Sequence, residues 1–488
     1  MTTRQLLRCI ALLLLLHNVA VAQKNIIIRG TTVNGAGKTI ELGGFSDKIS
    51  RHETRLDQAR IGEDQTFELR CFARYPMQVY VQIENYSQSF YVEPGREYNV
   101  FIPRFDWNRD EEQNVFLSPI TLPVEFVGLP ADDINAQIDS LDRVVERFIM
   151  RNIVYFDERY RPQKRYFDSL LTEVERLCPD TENEFFNRYK RYHLAELKLN
   201  LKFDSRRAIY DTYLRGQPVL CYDENYMELF TALYADALSK GTQRIPVHRI
   251  APWVYNLDYE TFMDSIGMDP MLRHEQIREL AALQALKEAY HNFRYYDGKM
   301  VVKMIEKISQ RSKFPEHKTI ARNIIEDFQR TEAGSTVKTF LLPNVDKELV
   351  SLDSFRGKWV YLSFVRVSDP ASQAEIQTLA HFRDSIYARN SNVEFVTIVC
   401  DREFQKMYHF LKNSKHKNRY NWVWLHYNGN YELLNDMRIC SFPTFILINP
   451  AGQLQYDITP TPASGFLLSP PWQSKKESRE GGSFFLNR

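Results

Sequence analysis

The spacing of the apolar residues changes twice along the chain, and this restricts the folds that the chain can adopt. Between residues 26 and 127 apolar and polar side chains alternate in short runs, as in MQVYVQIEN, where Val79, Val81 and Ile83 share one face. Such alternation is typical of antiparallel strands with one buried face. We therefore predict an N-terminal antiparallel β-sandwich over residues 23–128.

A helical spacing replaces this alternation in the middle of the chain. Apolar residues then recur at steps of three and four, beginning with Ile134, Ile138, Leu141, Val145 and Phe148. These steps place them on one face of an amphipathic helix. The pattern continues with interruptions at prolines, and we predict an α-helical domain over residues 129–332.

Apolar strands alternate with helical stretches in the last part of the chain. The segments are WVYLSFV, ASQAEIQTLAHFRDSIYA, NVEFVTIVC and TFILINP. This order predicts an α/β domain whose inner strands are parallel, over residues 333–462, followed by a C-terminal tail at 463–488. The predicted fold class is therefore a multidomain α+β protein.

Three segments of this last domain resemble the thioredoxin fold in its secreted TlpA-like form. FLLPNVDKELVSLDSFRGKWVYLSFV resembles the first part of that domain, SDPASQAEI occupies the place of the redox loop, and Ser441-Phe442-Pro443-Thr444 with FILINPAGQL resembles the cis-proline element. The phrases YVEPGREYNV and PVLCYDENYMELF resemble the N-terminal regions of secreted gut-bacterial proteins of this type. The resemblance implies a C-terminal thioredoxin-like domain and a DUF4369-like sandwich.

The sequence departs from this family at the redox loop. Active members carry Trp-Cys-x-x-Cys-x-x-Glu, and aligning Glu375 with the glutamate places Asp369 and Ser372 at the two cysteine positions. Neither a carboxylate nor a hydroxyl can be oxidised reversibly to a disulfide. Asp369, directly before Pro370, is instead a suitable cap for the helix that follows. We expect a redox-inactive loop and a non-catalytic protein.

The resemblance also implies where a ligand binds. In the family, the residue before the cis-proline offers backbone groups to an extended substrate chain, and this residue is Phe442 here. Strand addition of this kind requires no sulfur. We therefore expect a peptide or an envelope protein to bind beside Asp369, Ser372, Phe442 and Pro443.

Two cysteines support an alternative hypothesis. Cys400 follows the strand NVEFVTIV, and Cys440 directly precedes the cis-proline element, so both are expected near the edge of the redox loop. A divergent thiol–disulfide oxidoreductase or a peroxidase-like enzyme could use this pair, with His409 lowering the pKa of a thiol. Against this, cysteines on different strand ends usually miss the Cα spacing of about 5.5–6 Å that a disulfide requires.

The beginning of the chain predicts export. Residues 1–22 contain Arg4 and Arg8, an apolar run from Ile10 to Leu16, and Ala-Val-Ala before a cleavage point. This is the pattern of a secretory signal peptide, and we expect a periplasmic protein. No later segment has the 18 consecutive apolar residues that a transmembrane helix requires, so no transmembrane segment is predicted.

Charge and motif spacing exclude several other classes of function. The 63 basic and 62 acidic residues nearly balance, which argues against nucleic acid as a partner. No pair of histidines has the spacing of metal ligands, and we expect neither a metal nor a cofactor. The segment from Asn34 to Thr39 imitates only the end of a phosphate-binding loop, and we predict a hairpin turn there.

Overall fold

A computed structural model describes the chain in segments. They are residues 24–84, 86–107, 120–152, 164–236, 245–290, 295–330, 333–389, 392–412, 420–439, 441–456, 459–465, 467 and 470–473. The described residues of 1–107 and 120–325 form one compact unit, and those of 326–488 form a second. The predicted signal peptide, Cys440 and most of the predicted tail lie outside the described residues. The predicted domain limits stay predictions.

The first unit begins with two sheets. Their strands are β1 (Lys24–Thr32), β2 (Thr39–Phe45), β3 (Glu53–Arg60), β4 (Thr66–Ala73), β5 (Met77–Ile83), β6 (Tyr86–Val92), β7 (Glu97–Ile102), β8 (Ile120–Thr121) and β9 (Glu125–Phe126). The strand orders are β4-β1-β7-β9 and β3-β2-β5-β6-β8. Most pairs are antiparallel, as predicted, while β1 with β7 and β6 with β8 are parallel.

The alternation in β5 places its side chains as predicted. Val79, Val81 and Ile83 are buried in the core between the sheets, together with residues of both sheets such as Ile26 and Leu42. The side chains between them are only partly covered. This face of the sheet therefore contributes to the hydrophobic core that the two sheets share.

The segment from Asn34 to Thr39 is not the hairpin turn that we predicted. β1 pairs with β4 and β7, whereas β2 pairs with β3 and β5, so this segment carries the chain from one sheet to the other. Its conformation is held by the Gly35 N–H, which donates to Thr32 Oγ1 at 2.7 Å and to Gln65 Oε1 at 3.0 Å. Turn residues predict a change of direction but not the partner of the next strand.

Helices follow the sandwich. They are α1 (Ile134–Asn152), α2 (Lys164–Leu177), α3 (Glu184–Asn200), α4 (Arg206–Ile209), α5 (Glu224–Tyr234), α6 (Val247–Tyr255), α7 (Tyr259–Ile266), α8 (Glu275–Ala289), α9 (Gly298–Arg311) and α10 (Pro315–Gln329). A π-helical stretch, Tyr210–Leu214, continues α4. The predicted apolar face of α1 is buried from Ile134 to Phe148, which confirms the helical interpretation of this region.

Polar contacts join the sandwich to the helices inside the first unit. Asn135 Nδ2 donates to the Tyr91 carbonyl at 2.9 Å, and the Tyr91 N–H donates to Asn135 Oδ1 at 2.8 Å. Lys48 lies 3.1 Å from Glu228 and 3.8 Å from Glu224, both on α5. The side chains of Lys48 and Glu224 are largely covered by the surrounding chain, so their charges interact through little water, whereas Glu228 is more exposed.

The second unit contains the predicted α/β domain. Its strands are β10 (Leu341–Pro343), β11 (Leu349–Ser351), β12 (Trp359–Val365), β13 (Val393–Val399), β14 (Val423–His426) and β15 (Thr444–Ile448), and its helices are α11 (Pro370–Arg389), α12 (Phe404–Lys412) and α13 (Tyr431–Asp436). The main sheet has the order β14-β13-β12-β15. β12, β13 and β14 are parallel, as predicted, and β15 is antiparallel to β12.

Apolar side chains cover both faces of this sheet. Leu362 and Phe364 of β12 belong to the core on one face, and Tyr361 packs with Phe395 and Trp472 on the other. A strand that is buried on both faces lies in the centre of an α/β domain. Within the described segments, no helix is both long enough and apolar enough to span a bilayer.

Candidate functional site

The loop after β12 leads directly into α11, and Asp369 caps this helix. Asp369 Oδ2 accepts a hydrogen bond from the Ser372 N–H at 2.8 Å, and the Asp369 carbonyl accepts one from the Gln373 N–H at 3.0 Å. Pro370, the first helical residue, has no N–H that needs an acceptor. A carboxylate at this position also interacts favourably with the helix dipole. The predicted cap is confirmed.

Ser372 faces the interior of the domain. Its side chain is fully buried, and its hydroxyl oxygen accepts a hydrogen bond from the Arg366 N–H at 3.3 Å. The hydroxyl therefore joins the beginning of the loop to the first turn of α11. This contact gives Ser372 a role in the shape of the loop.

Asp401 lies beneath the same loop and was missed by the sequence reasoning. It follows β13 by two residues and is 4% exposed. Its Oδ2 accepts from the Val367 N–H at 2.6 Å, and its Oδ1 accepts from the Ser368 hydroxyl at 2.5 Å and the Ser368 N–H at 3.3 Å. The carboxyl ends of parallel strands meet at one edge of a sheet, so the position of Asp401 after β13 was a usable signal.

His426, at the end of β14, supports Asp401 from the next strand. Its Nδ1 accepts a hydrogen bond from the Asn428 N–H at 3.1 Å, and its Nε2 lies 2.7 Å from the Asp401 carbonyl oxygen. Because a backbone N–H can only donate, the proton must be on Nε2, which donates to Asp401. Burial lowers the pKa of His426, so this imidazole is neutral at pH 7.

Phe442 and Pro443 lie beside the loop. The peptide bond between them is cis, as the resemblance implied. The guanidinium carbon of Arg366 is 5.0 Å from the centroid of the Phe442 ring, a cation–π distance. Arg366 therefore connects the capped loop with the residue before the proline. A ligand-binding role for Asp369, Ser372, Phe442 and Pro443 stays a prediction.

Cys400 is a buried thiol at the end of β13. It is 4% exposed, and its N–H donates to the Val365 carbonyl at 2.8 Å. Burial raises the pKa of Cys400 well above its ordinary value, and the nearby positive charge of Arg366 opposes this only in part. Since the thiolate is the nucleophile, Cys400 is poorly suited to attack a disulfide. Its distance from Cys440 stays untested, because Cys440 lies outside the described residues.

None of the described cysteines forms a disulfide. Cys71, Cys178, Cys221 and Cys400 are free thiols. Cys71 is 3% exposed in β4 and belongs to the core of the sandwich. In the part of the chain that the structure describes, no group of three or more His, Cys, Asp or Glu side chains could hold a metal ion.

Comparisons with known proteins find one family model and several solved structures. A family model described as thioredoxin-like matches residues 357–454. The solved structure of a thiol-disulfide oxidoreductase from Bacteroides fragilis is 24% identical and covers 27% of this chain and 97% of its own, with a TM-score of 0.24. A search of the curated proteins finds no match.

Two further solved structures match the chain to a similar extent. A thiol:disulfide interchange protein from Bacteroides sp. is 20% identical over 26% of this chain and 81% of its own, with a TM-score of 0.23. A secreted disulfide oxidoreductase from Mycobacterium tuberculosis is 20% identical over 27% of this chain and 87% of its own, with a TM-score of 0.21. The family model, together with the sheet order, identifies the C-terminal domain as thioredoxin-like.

Proposed function

We propose that this protein binds an extended peptide, or an extended segment of an envelope protein, at its thioredoxin-like domain without thiol–disulfide exchange. One observation carries the proposal: Asp369 Oδ2 accepts a hydrogen bond from the Ser372 N–H at 2.8 Å. The loop that holds a dithiol in the redox-active proteins it resembles is a helix cap in this chain. A capped loop of this kind can position a ligand but cannot exchange electrons with it.

The edge of the sheet supports binding by strand addition. β15 is the last strand in the order β14-β13-β12-β15. At Leu447 its outer edge is already occupied, because the Leu447 N–H donates to Thr459 Oγ1 at 2.9 Å and its carbonyl accepts from the Gln455 N–H at 2.8 Å. A ligand strand would therefore lie beside Phe442 to Phe445, next to Arg366, and exchange main-chain hydrogen bonds there.

The state of Cys400 also supports a binding role. An oxidoreductase or peroxidase-like enzyme needs an accessible thiolate, and Cys400 is buried with a raised pKa. An enzyme that uses Cys400 with Cys440 would have to expose this thiol first. Such an enzyme is therefore the outcome that would contradict the proposal.

We also propose that the protein acts in the periplasm, after cleavage of residues 1–22. Arg4, Arg8 and the apolar run from Ile10 to Leu16 support this location. Mass spectrometry of the mature protein from the cell envelope is expected to find Gln23 as its first residue. An uncleaved N-terminus in protein from the cytoplasm would contradict the proposed location.

Binding can be tested on an array of short synthetic peptides of varied sequence. We expect the full-length protein to bind a subset of them and a Phe442→Ala variant to bind them weakly, because the substitution removes the ring that lies against Arg366 at the proposed site. Phe72→Ala is the matched control, since Phe72 is an exposed phenylalanine of the sandwich. Circular dichroism checks that both variants are folded. If no peptide binds the native protein, the proposal fails.

An insulin-reduction assay tests the redox part of the proposal. We expect no acceleration by the native protein, and thiol titration with and without reductant should give the same number of thiols. Robust insulin reduction that is lost in a Cys440→Ser variant would favour the enzyme hypothesis instead.

A further inference from the structure

We propose that Arg366 makes this site selective for a ligand chain that carries a carboxylate group. The inference deepens the proposed function and rests on it, because it assumes that an extended chain lies beside Phe442. It assigns the guanidinium of Arg366 as the group that recognises the ligand's negative charge.

The first argument is the unsatisfied state of Arg366. Its Nε is buried and has no hydrogen-bond partner among the described residues. A buried N–H without an acceptor costs free energy. This cost is recovered when the side chain shifts on ligand binding so that Nε meets a ligand oxygen. The backbone of Arg366 is fixed at the same time, because its N–H donates to Ser372 Oγ at 3.3 Å. The backbone that carries this side chain is thus held in place before a ligand arrives.

The second argument is that no carboxylate of the described residues forms an ion pair with Arg366, while those of the loop and of α11 bind other donors. Asp369 accepts from the Ser372 N–H, and Glu375 Oε2 accepts from the Ala463 N–H at 2.9 Å. Asp401 accepts from Val367 and Ser368. Cys400 supplies no counter-charge, because its raised pKa keeps the thiol protonated. The Arg366 guanidinium therefore has no paired carboxylate among the described residues, and a ligand carboxylate would supply one.

The third argument is the geometry of the guanidinium. It lies 5.0 Å from the centroid of the Phe442 ring, and a guanidinium held against an aromatic ring keeps in-plane N–H donors available. Those donors match the two oxygens of a carboxylate, which forms paired, charge-assisted hydrogen bonds with arginine. A lysine ammonium at this position could not form the same fork. The carboxylate can come from an acidic side chain or from the end of the ligand chain.

The experiment uses three versions of the strongest-binding array peptide and the full-length native protein. The versions carry an internal glutamate with an amidated end, an internal glutamine with an amidated end, and an internal glutamine with a free terminal carboxylate. Fluorescence anisotropy measures each dissociation constant. We expect at least one acidic version to bind about tenfold more tightly than the neutral version. The version that gains affinity identifies the source of the carboxylate.

Variants assign this preference to Arg366. Arg366→Met is expected to weaken binding of the acidic peptide to about the level of the neutral one, and Arg366→Lys to keep only part of the preference. Arg356→Met is the matched control, because Arg356 already pairs with Asp353 at 3.0 Å and should leave the preference unchanged. An unchanged preference in a folded Arg366→Met protein would overturn the assignment.

The native protein keeps the inference testable even if an Arg366 variant does not fold. If acidic and neutral peptides bind the native protein equally, selectivity for a carboxylate is wrong, while peptide binding itself stands. If none of the array peptides binds, the proposed function fails and this inference fails with it. The preference is expected to weaken, without disappearing, at high salt, since the recognition is electrostatic and partly buried.

Discussion

Ser368 is joined to Asp401 by two hydrogen bonds, from its hydroxyl at 2.5 Å and from its N–H at 3.3 Å, both to Oδ1. The neighbouring Val367 N–H donates to the second oxygen, Oδ2, at 2.6 Å. A carboxylate from the end of one strand thus holds the loop that follows the adjacent strand. This explains how the loop keeps a defined shape without a disulfide.

Replacing Asp401 with alanine is expected to lower the free energy of unfolding by about 3 kcal/mol, because it leaves the buried Val367 N–H without an acceptor and removes both hydrogen bonds from the more exposed Ser368. Urea denaturation measures this change. Asp353→Ala is the control: its carboxylate is about half exposed and pairs with Arg356, so the loss should be clearly smaller than for Asp401→Ala. Equal losses in the two variants would contradict the proposed role of Asp401.

Introducing cysteines at both ends of the loop should restore redox chemistry. In Asp369→Cys with Ser372→Cys, the first thiol lies directly before α11, where the helix N-terminus lowers a thiol pKa. We expect a reversible disulfide and measurable insulin reduction. The single variant Asp369→Cys is the control and should show neither. Failure of the double variant to form a disulfide would mean that the loop no longer fits a dithiol.

Cys400 should resist alkylation in the folded protein. Its burial and raised pKa predict labelling by iodoacetamide at pH 8 at least tenfold slower, as an order of magnitude, than in guanidinium-denatured protein. Mass spectrometry of the tryptic peptide measures the rate. Labelling of native and denatured protein at the same rate would instead favour the enzyme hypothesis.

Glu224 should make the stability of the first unit depend on pH. Its side chain is 12% exposed, and burial raises its pKa from 4.5 to about 7, although Lys48 opposes this rise. The native state therefore binds this proton more tightly than the unfolded state. The free energy of unfolding should fall as pH rises from about 4.5 to 7, by up to about 3 kcal/mol from this group, and then stay level.

Glu224→Gln removes the titrating group, so the difference in stability between native protein and variant should change over this pH range. Urea denaturation at several pH values measures it. Glu260→Gln is the control, since the Glu260 side chain is 68% exposed. A difference between native protein and Glu224→Gln that does not vary with pH would contradict the assignment.

The faces of the elements could be predicted because they depend on local spacing. Val79, Val81 and Ile83 alternate along one strand, and a strand with a period of two must place them on the same side. The pairing of strands could not be predicted in this way. The segment from Asn34 to Thr39 contains ordinary turn residues. The packing of the two sheets places β2 in a different sheet from β1.

The contacts of the candidate site show the same difference between local and long-range features. The Asp369 cap joins residues three positions apart, so the amino acids around it were sufficient to predict it. Ser368 donates to Asp401 across 33 positions of the chain, and His426 donates to Asp401 across 25 positions. Such contacts depend on which strands become neighbours. The sequence could have suggested Asp401 through its place at a strand end, but not its partners.

The amino acids alone were sufficient to predict the order of sandwich, helices and α/β domain, and the chain contains no Cys-x-x-Cys. Those properties follow from residue type and local period. The folded protein was needed to show that Asp401 holds the loop, that Cys400 is buried, and that Arg366 lies over the Phe442 ring. Hydrogen bonding and burial between distant segments arise only when the sheet is assembled, because neighbouring strands then bring their ends to one edge.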